Sequence, residues 1–184
     1  MTAVPGKYGV IYADPPWRYN MKRGHGVAEN HYPTMSIEEI CALPVADLAD
    51  RDWALFLWAT FPQLPEAQRV IEEWGIKFKT VAFVWAMQNK KSPTWLDGMG
   101  FWTRSNAEIC RLATRGHPRR MDAGVHQLIV SPLEAHSKKP DEARHRIERL
   151  MGDIPRVELF ARRPASGWHV WGNEVQSDII LEGR

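Results

Sequence analysis

Asp14-Pro15-Pro16-Trp17 brings together, in four residues, a hydrogen-bond-accepting carboxylate, a carbonyl held in place by proline and a flat aromatic surface. That combination suits one demanding task, making an amine attached to an aromatic ring behave as a nucleophile. Conjugation draws the lone pair of such a nitrogen into the ring. If the Asp14 carboxylate and the Pro15 carbonyl each accept one amino hydrogen, the nitrogen is pulled toward tetrahedral geometry and its lone pair is freed for an incoming group. Proline fixes φ, so the carbonyl stands ready before substrate arrives. A preorganised site loses less entropy at the transition state. Trp17 offers a wall on which an extruded base can stack. Asp-Pro pairs also end strands and cap turns; the whole tetrapeptide, directly after Ile11-Tyr12-Ala13, is what favours a site.

The elements that must position these residues alternate along the chain. Residues 8–13 form a short apolar run stopped by tandem prolines and read as a buried strand. Residues 20–34 are polar, carry Gly24 and Gly26, and read as a long loop of the kind that is usually functional. Ser36-Ile37-Glu38-Glu39 is a capping box opening a short helix toward Leu43. Residues 53–59 and 80–87 read as buried strands, with an amphipathic helix over 62–74 between them. Residues 89–103 form a second long loop holding Lys90, Lys91, Trp95 and Trp102, after which helix is expected to resume at Ser105. Strands are expected at 125–130, 156–160 and 168–171, with a helix from Pro140 to Met151. This order predicts an α/β fold, a single mostly parallel sheet flanked by helices. Ligands of such sheets lie beyond the carboxyl ends of the strands. Asp14, the residues after Ala59, the loop after Met87 and Arg162 all follow strands and so converge on one rim.

Composition narrows the field. With 184 residues, 44% of them apolar and 25% charged, the chain describes one compact domain over 1–184, with no separate target-recognition domain. The longest apolar runs, 53–59 and 81–87, fall far short of the roughly 20 residues a bilayer helix requires. No signal region opens the chain and Cys41 and Cys110 make no pattern, so a reducing cytoplasm is expected. The seven histidines lack metal-ligand spacing, and no metal is expected. Neither a GxGxxG nor a P-loop motif occurs, which argues against hydride transfer and nucleotide hydrolysis. Residues 101–163 hold 13 of the 24 Lys+Arg but only 8 of the 22 Asp+Glu. That local excess fits a polyanionic partner or a solvated helix face. Nine Trp are more than a core needs, and those in glycine-rich stretches suit base stacking.

Several segments, in order, carry a family resemblance: Val10-Ile11-Tyr12-Ala13-Asp14-Pro15-Pro16-Trp17, Tyr32-Pro33-Thr34-Met35-Ser36, Leu55-Phe56-Leu57-Trp58, residues 102–108, Ser137-Lys138-Lys139-Pro140-Asp141-Glu142, Glu158-Leu159-Phe160-Ala161-Arg162 and residues 168–174. Together they resemble the adenine N(6)-methyltransferase family named after the seventy-kilodalton mRNA methyltransferase subunit, the MT-A family, in its bacterial and phage form. The resemblance implies a Rossmann-like methyltransferase fold, S-adenosylmethionine as methyl donor, and a catalytic motif that precedes the cofactor motif. By position, Ala13, Asp14 and Lys139 match residues beside the cofactor. Asn173 matches a ribose-binding position, and Glu174 stands where the family often has Gln; either side chain could accept a ribose hydroxyl. After Phe160, some family members carry Gly-Arg-Pro-His-Asn, whereas this chain has Ala161-Arg162-Arg163-Pro164-Ala165-Ser166-Gly167. Which arginine takes the family position is open, and Ser166 or the backbone replaces the lost contact.

On the substrate side, Tyr32 and Trp102 resemble residues on the two loops that flank the target base. Asn106 and Glu108 either read base edges or order a loop. Arg115, Arg119 and Arg120 form a basic turn suited to phosphate contact or to solvent, and Lys22, Arg23, Lys90 and Lys91 could extend its groove. The expected activity is methylation of the 6-amino group of adenine in DNA. The alternatives are the same chemistry on RNA, or a non-catalytic nucleic-acid-binding subunit. The family often works as dimers, so a homodimer or a partner subunit is consistent with the resemblance.

Overall fold

The computed structural model describes residues 7–18, 34–134 and 138–183. Seven strands form one sheet: β1 (Tyr8–Ala13), β2 (Ala49–Ala59), β3 (Lys77–Gln88), β4 (Ala107–Arg115), β5 (Leu128–Pro132), β6 (Arg156–Leu159) and β7 (His169–Trp171). Their spatial order is β5-β3-β4-β2-β1-β6-β7. All neighbours pair in parallel except β4, which is antiparallel to both β2 and β3. Four α-helices pack with the sheet: α1 (Ile37–Cys41), α2 (Val45–Leu48), α3 (Leu64–Glu73) and α4 (Asp141–Met151).

The continuous apolar runs read as buried strands because both faces of the sheet are covered. Along β1 and β2, Ile11, Ala13, Leu55 and Leu57 join one core with Val70 and Ile71 of α3. Val10, Tyr12, Phe56 and Trp58 alternate to the other face and pack with Ala143 and Ile147 of α4. The capping box forms as read: the Glu39 N–H donates to Ser36 Oγ, and the Ser36 N–H donates to Glu39 Oε2. A short 3-10 turn, Phe61–Gln63, precedes α3. The expected strand at 125–130 is displaced to β5 and pairs in parallel with β3.

The helix expected from Ser105 is instead the strand β4. Ser105 and Asn106 look locally like a cap, but Ile109, Cys110, Leu112 and Ala113 fill the centre of the sheet with neighbours on both sides. Tertiary pairing overrides the local signal. Among the described residues, no helix is long and apolar enough to cross a membrane.

Candidate active site

β1 lies between β2 and β6, and all six of its residues are buried. Pro15 and Pro16 cannot donate to a ladder, so pairing stops and Asp14 is presented at the rim. The Trp17 N–H donates to the Pro15 carbonyl at 2.8 Å, and the Met35 N–H to the Pro16 carbonyl at 2.9 Å. These bonds pin the turn. A carbonyl oxygen has two lone pairs, so the Trp17 bond does not exhaust Pro15 as an acceptor.

Lys139, one residue before the Pro140 that caps α4, reaches across to this rim. Its Nζ lies 3.0 Å from Asp14 Oδ2 and 3.1 Å from Glu108 Oε2, with the lysine side chain only 10% exposed. The ammonium also sits 5.8 Å from the centre of the Trp58 ring. Burial pushes the Asp14 carboxyl above its ordinary value, and Lys139 pulls it back. Burial opposes the charge of Lys139 too, but Asp14 and Glu108 outweigh it and hold the ammonium charged above the usual lysine range. The Cys110 thiol below this cluster is pushed up first by burial and then by the Asp14 charge, and stays neutral.

Two clefts, each of about 250 Å³, open beside Asp14. The first has an apolar wall of Met35, Phe160 and Trp171 and a polar end of Asn173 and Glu174. The second is lined by Lys138, Lys139, Arg144, Arg163 and Glu158. Asp14, Phe160, Arg162 and Glu174 line both. Phe160 holds the seam in a costly conformation: its φ of 62° lies in the left-handed region, which a bulky side chain seldom adopts and which costs on the order of 1–3 kcal/mol. Its ring packs edge-on against Trp171, with centroids 5.3 Å apart. Gly172 lets the loops after β6 and β7 touch. A Cβ there would come within 2.2 Å of the Ala161 carbonyl oxygen.

A conserved-family model described as MT-A70 matches residues 8–174, a span that contains every strand of the sheet and all of the residues around Asp14. The chain belongs to the MT-A70 family. It is 32% identical over 194 aligned positions to the type II methyltransferase M.MunI of a Mycoplasma species, covering 95% of this chain and 80% of that protein. It is also 32% identical to an MT-A70-like N(6)-adenosine-methyltransferase of Arabidopsis thaliana and 28% identical to the human N(6)-adenosine-methyltransferase catalytic subunit METTL3. The chain spans 25% and 30% of the length of those two proteins. The family is one of adenine N(6)-methyltransferases.

Within this MT-A70 domain, sequence reasoning is met unevenly. Asp14 and Arg162 share one rim as expected, and the structure brings Lys139, Glu108, Asn173 and Glu174 to the same rim, with Ala13 buried behind Asp14. Arg162 lines both clefts with its Nε 3.5 Å from Glu174, while Arg163 lines the second and pairs with Asp141. Trp102 is fully exposed on the loop before β4, and the Asn106 carbonyl accepts from the Met87 N–H at 2.9 Å.

Three expectations need correction. The Trp17 indole is not an open stacking wall: it is 6% exposed, packs in the core beneath β1 and donates to the Trp58 carbonyl. Ser166 does not reach the cleft, because residues 160–168 carry the chain back to begin β7 as a parallel strand and Ser166 sits in the turn at its start. Arg115, Arg119 and Arg120 lie at the opposite end of the sheet. Being antiparallel, β4 starts at the Asp14 rim and runs roughly 27 Å away from it before Arg115. Tyr32, Lys22 and Arg23 lie outside the described residues.

Sequence reading missed Phe160, Trp171 and Met35 as cleft walls, although each directly borders a recognised motif or strand. It also missed Arg144, whose Nε and Nη2 donate to the two Glu158 oxygens at 2.6 and 2.8 Å and whose Nη1 donates to Asp141 at 2.8 Å. The i, i+3 spacing of Asp141 and Arg144 was the available signal.

Proposed function

We propose that this chain transfers a methyl group from S-adenosylmethionine to the 6-amino nitrogen of adenine in DNA. The observation that carries this reading is the position of Asp14: it lines both clefts and is ion-paired with Lys139. The two clefts suit the two ends of one donor molecule. Met35, Phe160 and Trp171 would hold a nucleoside base and sugar, with Asn173 and Glu174 at the ribose hydroxyls. Lys138, Arg144 and Arg162 would meet an amino-acid carboxylate, and Glu158 its ammonium. When bound, S-adenosylmethionine supplies an electrophilic methyl group on a cationic sulfur. The cluster of Asp14, Glu108 and Lys139 carries one net negative charge, which complements that cation.

The chain's own residues then act on the amine. Asp14 Oδ accepts one amino hydrogen and the Pro15 carbonyl accepts the other, which directs the nitrogen lone pair toward the donor. Lys139 opposes the burial-driven rise of the Asp14 pKa, keeping the carboxylate an acceptor. The methylated nitrogen, while cationic, is acidic and sheds its proton readily, so no strong general base is required. The role of Glu108 in this reading is to hold Lys139. A DNA substrate is favoured by the type II methyltransferase relative, of which this chain spans four-fifths. The N(6)-adenosine-methyltransferase relatives favour the 6-amino group, and in RNA they supply the second reading.

The deciding experiment incubates the purified chain with tritiated S-adenosylmethionine and, separately, duplex DNA, single-stranded DNA and RNA, followed by digestion to nucleosides. Label in N(6)-methyldeoxyadenosine is expected. Label confined to N(6)-methyladenosine from RNA would overturn the choice of substrate. Absence of label from every substrate, together with no binding of S-adenosylmethionine, would make the chain a scaffold for a catalytic partner subunit.

A further inference from the structure

Three large rings stand out on the surface around one groove of about 750 Å³: Phe61 is 49% exposed, Phe101 59% and Trp102 fully exposed. Exposed rings gathered at one place usually mark a binding surface. Here the loop is built to present them. Gly98 and Ser105 exchange backbone hydrogen bonds at 3.0 and 3.1 Å, closing a hairpin with Phe101 and Trp102 at its tip. Gly100 makes the tip, with φ of 57° and no room for a Cβ, which would come within 1.9 Å of the Thr103 carbonyl oxygen. Arg104 braces it through Asp97 at 3.6 Å and Met99 Sδ at 3.3 Å. The rings are displayed by a fixed turn.

The groove continues directly from the active rim. Ala107 lines it, and the next residue is Glu108, which holds Lys139. Thr60 and Phe61 line it too, and Trp58, two residues before Thr60 and thus within about 7 Å along the chain, lies under Lys139. Polar groups interleave with the rings: Thr60, Thr103, Ser105 and Asn106 share the walls. Lys90 and Lys91 stand exposed on the same loop. Interleaved aromatics, hydrogen-bonding groups and cations are the pattern of a site for an unpaired nucleic-acid strand, whereas the centre of a protein interface is depleted of lysine and serine.

We propose that this groove binds the nucleotides flanking the target adenine in an unpaired strand, with Phe61, Phe101 and Trp102 stacking on successive bases. The proposal rests on the adenine-methyltransferase reading and adds to it that the productive substrate is single-stranded, or opened, beside the methylated base.

The test uses fluorescein-labelled dT12 and its duplex with dA12, followed by anisotropy without cofactor, so that neither adenine capture nor methyl transfer enters the single-strand measurement. The wild-type chain is expected to bind dT12 more tightly than the duplex and to show quenching of tryptophan fluorescence. Phe61→Ala with Phe101→Ala should weaken dT12 binding roughly 30-fold or more, about fivefold at least for each ring. Phe61→Tyr with Phe101→Tyr, which keeps the rings, should restore it. Trp102→Ala removes a side chain with no packing role, so it folds whatever the fate of the double variant; it should weaken binding by at least about fivefold and reduce the quenching. Equal binding of dT12 by wild type and variants overturns the proposal, even if methyl transfer to adenine is observed. So does a dimer, seen by light scattering, that the same substitutions dissociate while dT12 affinity is unchanged; the rings would then form a protein interface. Conversely, ring-dependent dT12 binding without methyl transfer to any adenine would sustain the groove and sink the catalytic reading.

Discussion

Asp14 is a partly buried carboxylate, its side chain 22% exposed, whose charged form burial disfavours. Its pKa is raised in the folded state, first by burial, with Lys139 opposing the rise. The folded state therefore binds the Asp14 proton more tightly than the unfolded state. Its favourable contribution is present below the ordinary value of 3.8 and is lost as pH rises through the folded pKa. Asp14→Asn should abolish methyl transfer, by at least about 100-fold, while its melting temperature relative to wild type improves from pH 3.5 to pH 7. Calorimetry at the two pH values checks the sign, and an active Asn variant would remove Asp14 from the mechanism. Lys139→Met should act oppositely. It leaves Asp14 and Glu108 without their shared cation, at a cost of about 3 kcal/mol near neutral pH. That cost should shrink as acid protonates Asp14, and unfolding in urea at pH 7 and pH 4 reads it directly.

At the scale of elements, the clefts depend on how the ends of β6, β7 and α4 are tied. The Ala161 N–H donates to the Trp171 carbonyl at 2.9 Å across the gap that Gly172 keeps narrow. Gly172→Ala should push these loops apart, lowering the melting temperature and weakening S-adenosylmethionine binding roughly tenfold, the two read by scanning and titration calorimetry. Arg144 ties α4 to β6 through Glu158, whose side chain is 9% exposed. Arg144→Met strands that carboxylate and should cost about 3 kcal/mol in urea unfolding. The Asp-Pro-Pro stop after β1, the capping box before α1 and the acidic start of α4 were all legible, because each is a local rule written in adjacent residues. The identity of β4 was not, since its helix-like opening is overruled by partners about 50 residues earlier in β2 and 25 earlier in β3.

For the molecule as a whole, direction within the sheet decides which cations stand near Asp14. Lys90 and Lys91 leave β3 at the Asp14 rim, whereas Arg119 and Arg120 follow β4 to the far one. Lys90→Ala with Lys91→Ala should weaken nucleic-acid binding at every sequence and reduce its salt dependence by about one counterion per lysine. Arg119→Ala with Arg120→Ala should leave methyl transfer to a short oligonucleotide within about twofold of wild type, as expected of surface changes distant from the site. A salt titration of both pairs, on one short substrate, separates the rims.

From the residues alone came the alternating fold, the sheet covered on both faces, the Asp14-to-Trp17 motif, and the convergence of Asp14 and Arg162 on one rim. Each of these is a property of spacing, backbone restriction or strand order, which a linear chain records. Lys139 and Asn173 were pointed to by the family resemblance. Only tertiary structure decided that Lys139 bridges Asp14 and Glu108, that Arg162 lines both clefts while Arg163 lines only the second, that Trp17 is core, and that the Arg115–Arg120 turn faces away. These depend on the pairing direction of β4 and on which side of a loop meets a distant strand. Such long-range choices are made by burial and backbone hydrogen bonding summed over the whole sheet, and no window of neighbouring residues contains that sum.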